Sequence, residues 1–369
     1  MPAVVPPPVP PSLPPLAATG VGSLPHADPG AAMRLVQATF PEIPHWPQLP
    51  RRSPAEGFVN QYLTLLLELG VVRAADGGKL RLSSDDAGYL DAQAALFGVY
   101  LDAAAGDAAA LGRFALPRAA AAGFWALLAA LGDGGARPRF VKGQVSGPLT
   151  VGLQVTSPDL RPAFYDDTAR EMIVRTLEAH ARWQAGELSR LGATPVIFVD
   201  EPGMYAYGQS TFVGLQRADI EGALDAVFGA ILGAGAVPGC HVCARADWSI
   251  LFASRVAVVD FDAYEYFPSL LVYADDLAAF LRRGGVIGWG LVPTNERARG
   301  ETAASLARRF DEYLDVLARH GVDRTLAARQ ALITPSCGTG TLDVDLAEHI
   351  YALTAATAAE LRRIFAGEV

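Results

Sequence analysis

The stretch Val237-Pro238-Gly239-Cys240-His241-Val242-Cys243 is an apolar run that carries one imidazole and two thiols. Read as a β-strand, it places His241 and Cys243 on one face, because side chains two residues apart leave a strand on the same side. Cys240 has the opposite parity and points away. An imidazole and a thiol on one face can hold a soft divalent metal ion. Taken alone, such a pair is more often core packing, because unpaired cysteine packs as a small apolar residue.

Two other apolar runs end in possible metal ligands. Cys337 follows a strand-like run that ends in Thr334-Pro335-Ser336, and Glu265 stands among aromatic residues after the run 256–262. A histidine, two cysteines and a carboxylate favour zinc over magnesium or calcium. A carboxylate as fourth ligand is replaceable, which is typical of a catalytic site. Such a site activates a thiol, because the cation stabilises its deprotonated form at neutral pH.

The composition limits the class of protein. The chain has 369 residues, about half of them apolar, a net charge of -9 and no visible Lys/Arg cluster, which argues against a nucleic-acid partner. Three cysteines cannot all pair, and their placement is typical of metal or redox chemistry in a reducing compartment. The charge-free segment Ala226 to Ala244 approaches the length of a membrane span, but it contains several glycines and a proline, so we expect no membrane span. The sequence therefore predicts a cytoplasmic protein.

Strand-like runs alternate with helical stretches from Ala17 onward, a pattern typical of parallel βα units. We predict eight strands, the number that closes a (β/α)8 TIM barrel: Ala18 to Ser23, Ile43 to Trp46, Phe140 to Ser146, Pro195 to Asp200, Val237 to Cys243, Val256 to Asp262, Val286 to Leu291, and Leu332 to Ser336. The catalytic barrel domain would span 17–369. Residues 57–139, after the second strand, would form a helical insertion, and the proline-rich residues 1–16 a disordered tail.

Helix signals support this division. We predict that Asp167 caps a helix that ends at Gly192, and that a last helix runs from Asp343 to about Phe365.

Polar residues collect where the predicted strands end, and in a parallel barrel these ends share one face. Gly22 allows close backbone approach, and Ser23 offers a hydroxyl and an amide to an anion; a helix-capping turn is the alternative. Gln144, on the third predicted strand, has a parity that could point it inward, and we take it, with Gly22 and Ser23, as a candidate substrate-binding residue. Asp200 and Glu201 alternate in direction, so one faces the barrel mouth and the other pairs with a helix.

The chain resembles the catalytic barrel of cobalamin-independent methionine synthase. That superfamily includes uroporphyrinogen decarboxylase and zinc methyltransferases that use methyl-corrinoid proteins. The resemblance covers most of the chain from about Ala18 onward, in this order: Gly22 to Pro25, Lys142 to Thr150, Asp200-Glu201-Pro202, His241-x-Cys243, Glu265 and Cys337-Gly338.

The resemblance implies a role for each matching residue. The zinc ligands would be His241, Cys243, Glu265 and Cys337. Asp200 would hold the amino group of the substrate, and Ser23 with its neighbouring backbone would anchor the carboxylate. The family's histidine acid after strand seven is missing here, since the chain reads Leu291-Val292-Pro293-Thr294. His26, at the mouth of strand one, is a candidate to replace it as a catalytic acid.

The function that the resemblance implies is zinc-dependent methyl transfer to a small thiol, with homocysteine giving methionine as the leading case. The methyl donor would be methyl-folate or a methyl-corrinoid protein, and the single barrel favours the corrinoid protein or an unusual donor. Three alternatives stay open. The first is a corrinoid-linked methyltransferase that acts on another thiol. The second is a decarboxylase of the uroporphyrinogen type, with Arg51 and Arg52 as the candidate carboxylate-binding residues. The third is a non-catalytic zinc-binding relative.

Overall fold

The computed structural model describes residues 13–132 and 137–367. Its strands are β1 (Ala17–Ala18), β2 (Val72–Ala74), β3 (Leu80–Leu82), β4 (Phe140–Ser146), β5 (Thr194–Asp200), β6 (Val237–Val242), β7 (Val258–Phe261), β8 (Val286–Val292) and β9 (Ala331–Pro335). Within the described residues, seven of them form a parallel sheet in the order β1-β9-β8-β7-β6-β5-β4, while β2 and β3 form a separate antiparallel hairpin. The fold is therefore α/β with a parallel sheet, as predicted.

Helices alternate with these strands. They are α1 (Pro29–Thr39), α2 (Thr64–Leu69), α3 (Tyr89–Ala104), α4 (Ala108–Gly112), α5 (Ala122–Gly132), α6 (Pro148–Gln154), α7 (Asp167–Ser189), α8 (Arg217–Gly233), α9 (Trp248–Phe252), α10 (Ala263–Leu270), α11 (Ala274–Arg282), α12 (Ala303–Arg319), α13 (Arg324–Arg329) and α14 (Val344–Ile364). None of the helices in the described part of the chain is both long and apolar enough to cross a bilayer.

Two predicted strands differ from the structure: the first, Ala18 to Ser23, forms only as Ala17–Ala18, and the second, Ile43 to Trp46, does not form a regular strand. Pro44 and Pro47 interrupt it, and proline has no N–H to donate to a ladder. The 43–48 segment instead makes isolated parallel bridges to both edges of the sheet, one from His45 to Lys142 and one from Gln48 to Ser23. Its backbone hydrogen bonds are Trp46 N to Lys142 O (3.3 Å), Lys142 N to Pro44 O (2.8 Å), Gln48 N to Gly22 O (3.0 Å) and Leu24 N to Gln48 O (2.8 Å).

Between this segment and β4, the region predicted as a helical insertion contains α2, the β2–β3 hairpin, α3, α4 and α5. Helix α5 packs directly on the 43–48 segment, since a Cβ on Gly123 would lie 1.8 Å from the carbonyl oxygen of Pro47. At the other end, residues 1–12 of the predicted tail lie outside the described residues. Leu13 and Leu16 are buried, so the packed chain includes part of what we predicted as tail.

Both predicted helices form, and the boundaries of the first are shifted: α7 ends at Ser189, before the predicted Gly192. Asp166, and not Asp167, is the N-cap of α7, because its carboxylate accepts a hydrogen bond from Ala169 N. The last predicted helix forms as α14, with Asp343 in the cap position.

The inner face of the sheet is apolar at one end and polar at the other. A buried cluster fills the amino-terminal end with Phe140, Val196, Phe198, Val258 and Leu332, among others. Two residues further along their strands, on the same face, stand Asp200, Asp260 and Thr334. The apolar layer fills the amino-terminal end of the sheet's inner face, and the polar side chains lie at the carboxyl ends of the strands.

Candidate metal centre

Three neighbouring strands bring three ionisable side chains to the same level. In the parallel register, Asp200 of β5 is paired with His241 of β6, and His241 is paired with Asp260 of β7. Paired residues of adjacent parallel strands point to the same face of a sheet. All three side chains are at least nine-tenths buried. The strand register therefore places these three ionisable side chains in a row across the sheet.

Two cysteine thiols lie beside His241, at one point of this row. Cys243 follows β6 and Cys337 follows β9, and the ligating atoms of His241, Cys243 and Cys337 all lie within 4.8 Å of one another. The predicted shared face of His241 and Cys243 is thereby confirmed. Cys240, as expected from its parity, is fully buried on its own, and burial raises the pKa of its thiol well above the usual value.

Asp260 holds the imidazole in one orientation. Its Oδ2 lies 2.6 Å from His241 Nδ1, and its Oδ1 accepts a 2.7 Å hydrogen bond from Thr334 Oγ1. The neighbouring residue on β8 is Gly288, where a Cβ would lie 2.3 Å from Asp260 Oδ1. A larger residue at that position would displace the carboxylate. Histidines that bind metals commonly donate their second ring N–H to a carboxylate in this way.

The other ring nitrogen of the imidazole is available to a ligand. His241 Nε2 is buried and has no hydrogen-bond partner among the described protein residues. With Nδ1 occupied by Asp260, Nε2 is the nitrogen beside the two thiols. Burial opposes the charged imidazole, but Asp260 and the two cysteines raise the pKa of His241 well above its usual value. One buried imidazole nitrogen and two sulfurs form a donor set that fits zinc.

The two thiols shift each other's pKa in opposite directions. Their mutual contact lowers the pKa of Cys337 and raises that of Cys243. Burial opposes ionisation of Cys337, while His241 favours it. These contacts favour the thiolate form at Cys337 over Cys243, and the thiolate is the form in which cysteine binds a metal.

His241, Cys243 and Cys337, called the metal group below, lie on one wall of a cavity of about 340 Å³. The other polar or ionisable residues that line it are Ser23, Gln48, Glu56, Gln61, Asp200 and Thr341. Asp200 Oδ1 is buried and has no hydrogen-bond partner among the described residues. Burial raises the pKa of Asp200 to about 6, against the opposing charges of Lys142 and His241.

Glu265 does not join the three ligands. It is the third residue of α10, its backbone N–H binds the cap Asp262 at 2.9 Å, and its side chain is 38% exposed. The carboxylate is ion-paired with Arg297. The helix starts immediately after β7, and this turns Glu265 toward the outer rim. The expectation of a fourth ligand at this position is therefore corrected to a group of three.

Two predicted substrate-binding positions, Gly22 and Ser23, lie in the segment that follows β1, and Ser23 reaches the cavity. Ser23 lines it, and its Oγ accepts a 3.1 Å hydrogen bond from Gly340 N. Gly22 has a φ of +154°, and a Cβ there would lie 3.0 Å from Gln144 Nε2. Gln144 itself does not line the cavity: it is fully buried and donates to Trp46 O at 3.1 Å. Its expected contact with substrate is replaced by a packing role beneath Gly22.

His26 and the two arginines lie apart from the metal group. His26 is not among the lining residues; its Nε2 is 3.3 Å from Glu348 Oε1 on α14. The catalytic role expected of His26 therefore has no geometric support. Arg51 donates to the backbone oxygen of Thr341 at 2.8 Å, and Arg52 is ion-paired with Glu56. Both arginines are thus engaged with the protein itself, which argues against a decarboxylase that binds its substrate through them.

Asp200 and Glu201 divide their tasks as predicted. Asp200 lines the cavity, while Glu201 is fully buried on the other face and accepts hydrogen bonds from Leu149 N (2.9 Å) and Thr150 N (2.7 Å) at the start of α6. Carboxylates are favourable at helix N-termini, where backbone N–H groups are unpaired.

Sequence reasoning did not identify Asp260, Gln61 or the position of Glu56 in the cavity. The period-two rule could have found Asp260, because it lies on the inner face of an apolar strand. Glu56 and Gln61 stand in irregular 3₁₀ turns, 54–56 and 60–62, and have no periodic signal. Their position in the cavity depends on how that loop folds over the strand ends.

The sequence matches no protein-family model, and no curated protein is similar enough to count as a relative. Among solved structures, the chain is similar to a Listeria monocytogenes protein assigned provisionally as a vitamin-B12-independent methionine synthase. The identity is 12%, the TM-score is 0.46, and the match covers 94% of this chain and 98% of that one. Similarity at this level does not establish a family or a function.

Proposed function

We propose that this protein is a zinc-dependent methyltransferase that moves a methyl group to a small thiol, with homocysteine as the acceptor and methionine as the product. We also propose that its fold is a variant of the (β/α)8 barrel in which the 43–48 segment takes the place of the second strand. The bridges from that segment to both sheet edges support this assignment.

One observation carries the functional proposal. His241, Cys243 and Cys337 come from two strand ends separated by most of a hundred residues, yet their ligating atoms lie within 4.8 Å. They line a cavity of about 340 Å³, large enough for a small substrate beside them. Three protein ligands leave one position of a tetrahedral zinc for a substrate, which is the arrangement of catalytic zinc sites.

The residues of this chain have distinct tasks in the proposal. His241, Cys243 and Cys337 would hold zinc, and Asp260 orients His241. When bound, zinc would stabilise the thiolate form of the substrate at neutral pH. Asp200 lines the cavity, and its Oδ1 has no hydrogen-bond partner among the described residues; it would hold the substrate's ammonium group, and Ser23 with Gly22 would receive its carboxylate. The substrate sulfur attacks the donor's methyl carbon; the S–C bond forms as the bond from methyl to donor breaks, and its electron pair leaves with the donor.

The test uses the zinc-loaded and chelator-treated protein. Each is mixed with homocysteine and either methyltetrahydrofolate or methylcobalamin, and methionine is measured by mass spectrometry. We expect methionine from the zinc-loaded protein with one donor, and none after chelation. Cys337→Ser should lose at least 10-fold in zinc affinity and nearly all turnover, because a hydroxyl is a poor zinc ligand.

A matched control is Ser254→Ala, a change of one side-chain atom in the loop after α9, away from the metal group. This variant should keep turnover. The proposal is wrong if neither donor yields methionine, or if Cys337→Ser binds zinc and turns over as well as the parent. Zinc binding without turnover would identify a non-catalytic zinc protein.

A further inference from the structure

Gln61 lies in the cavity wall, and its side-chain amide has no hydrogen-bond partner in the described part of the chain. It is 1% exposed and lines the same cavity as the metal group. Neither Nε2 nor Oε1 has a hydrogen-bond partner among the described protein residues. Leaving buried polar atoms unpaired costs about 1–3 kcal/mol for each group, so native proteins seldom do so without a reason.

The segment around Gln61 is held firmly in place. The hydroxyl of the next residue, Tyr62, donates to Gln144 O at 2.8 Å and accepts from Gln48 Nε2 at 3.0 Å. The carbonyl oxygen of Tyr62 lies 2.7 Å from His180 Nε2 on α7. These contacts join the 3₁₀ turn to β4 and α7. The amide of Gln61 is therefore presented to the cavity by a rigid support, the condition for selective recognition.

The unpaired atoms in the cavity indicate what they would recognise. A carboxamide presents one acceptor and one donor side by side. Asp200 Oδ1 and Glu56 Oε2 are also buried without partners among the described residues, and both are acceptors when ionised. The wall therefore offers more acceptors than donors. Its complement is a cationic N–H donor with an adjacent acceptor oxygen, as in the ammonium and carboxylate of an α-amino acid.

We propose that Gln61 is a specificity-determining residue that reads an α-amino acid head group, with Oε1 accepting from the ammonium and Nε2 donating to the carboxylate. It would select amino-acid thiols over other thiols of similar size. This assignment rests on the proposed function, since the sulfur of the same substrate would be bound at His241, Cys243 and Cys337.

The test measures thiol binding without turnover. The protein is loaded with Co²⁺ in place of zinc, and the near-ultraviolet absorption from sulfur to cobalt reports binding of each thiol. The probes are L-homocysteine, 4-mercaptobutyrate (which lacks the ammonium), 3-mercaptopropylamine (which lacks the carboxylate) and 2-mercaptoethanol (which lacks both). The variants are Gln61→Met, similar in size but without the amide, and Gln61→Glu, which keeps an acceptor and loses the donor. Gln37→Met, on the exposed side of α1, is the control.

We expect Gln61→Met to bind homocysteine about 10- to 100-fold more weakly, the effect of losing hydrogen bonds to charged groups, and 2-mercaptoethanol within 3-fold of the parent. Gln61→Glu should bind 3-mercaptopropylamine at least as tightly as the parent, and 4-mercaptobutyrate more weakly. Gln37→Met should match the parent throughout.

The proposal for Gln61 is overturned if Gln61→Met keeps the parent's preference for homocysteine over 2-mercaptoethanol within 3-fold. If Gln61→Met fails to hold one cobalt ion, Gln61→Glu decides: equal changes for the amine and the carboxylate probes overturn the proposal. If 2-mercaptoethanol binds the parent but homocysteine has no advantage, the proposal for Gln61 falls and thiol binding at the metal stands. If no thiol changes the spectrum of the parent, both proposals fall.

Discussion

The candidate metal site is built from side chains that orient one another. Asp260 binds one ring nitrogen of His241, which leaves the other ring nitrogen beside two sulfurs as a candidate metal ligand. Asp260 in turn is positioned by Thr334 and by the absence of a side chain at Gly288. Each member is ordinary alone, and its role comes from the neighbour that orients it.

Asp260→Asn should weaken zinc binding about 10- to 100-fold, the usual effect of changing a residue that orients a ligand. An asparagine removes the negative charge, and it cannot accept hydrogen bonds at both of the positions where Asp260 meets His241 and Thr334. Zinc affinity is measured by competition with a chromophoric chelator. The control is Asp225→Asn on α8, where Asp225 forms an exposed ion pair with Arg255. This variant should bind zinc like the parent. Equal affinity of Asp260→Asn and the parent would contradict the orienting role.

Among the elements, β5 shows how one strand serves both faces of the sheet. Its last residue, Asp200, faces the cavity, and the next, Glu201, caps α6 on the opposite side. The alternation of a strand makes this division possible with two consecutive acids. Burial raises the pKa of Glu201 to about 7, although hydrogen bonds from Thr150 and Leu149 favour the ionised form.

This shift predicts a pH dependence of stability. The folded protein binds the Glu201 proton more tightly than the unfolded chain, so the resulting stability is present below pH 4.5 and is lost as the pH rises through about 7. Between pH 5 and pH 8, the free energy of unfolding of the metal-free parent should fall by about 2–3 kcal/mol relative to Glu201→Gln. Urea unfolding at several pH values measures it.

Glu312→Gln, at an exposed ion pair with Arg308, is the control for this pH series. Its free energy of unfolding should follow that of the parent across the same range. Parallel pH profiles for Glu201→Gln and the parent would show that Glu201 is not protonated more readily in the folded protein.

At the scale of the whole molecule, the 43–48 segment makes one bridge to Lys142 in the edge strand β4 and one to Ser23, which follows the other edge strand, β1. Only part of this segment can donate hydrogen bonds, because it contains Pro44 and Pro47. Packing supplies further support: Trp46 Nε1 donates to Gln184 Oε1 on α7 at 3.1 Å, and α5 lies against Pro47. Helix α5, which lies in the region predicted as an insertion, therefore packs against the segment that bridges to β4.

Gly123→Ala should lower the free energy of unfolding by about 1–3 kcal/mol, because an added methyl in a tight contact forces the backbone to move. Its Cβ would meet the carbonyl oxygen of Pro47 at 1.8 Å. Gly98→Ala in α3, with no atom within 4 Å of the new Cβ, should gain up to about 1 kcal/mol from helix propensity. Urea unfolding compares both with the parent. A Gly123→Ala protein as stable as the parent would mean that α5 does not press on this segment.

The chain order of apolar runs was enough to predict seven strands of the sheet, and residue parity was enough to predict that His241 and Cys243 share a face and that Asp200 and Glu201 do not. These features are local, because strand period and hydrophobic pattern act over a few residues. The positions of Glu265, Gln144 and His26 differ from those that we expected. Each position depends on where a helix begins or on which layer of the sheet the side chain reaches. The meeting of Cys337 with His241, the support from Asp260 and the burial of Gln61 required the folded chain, because contacts between distant segments follow from strand order and loop packing, which no short stretch encodes.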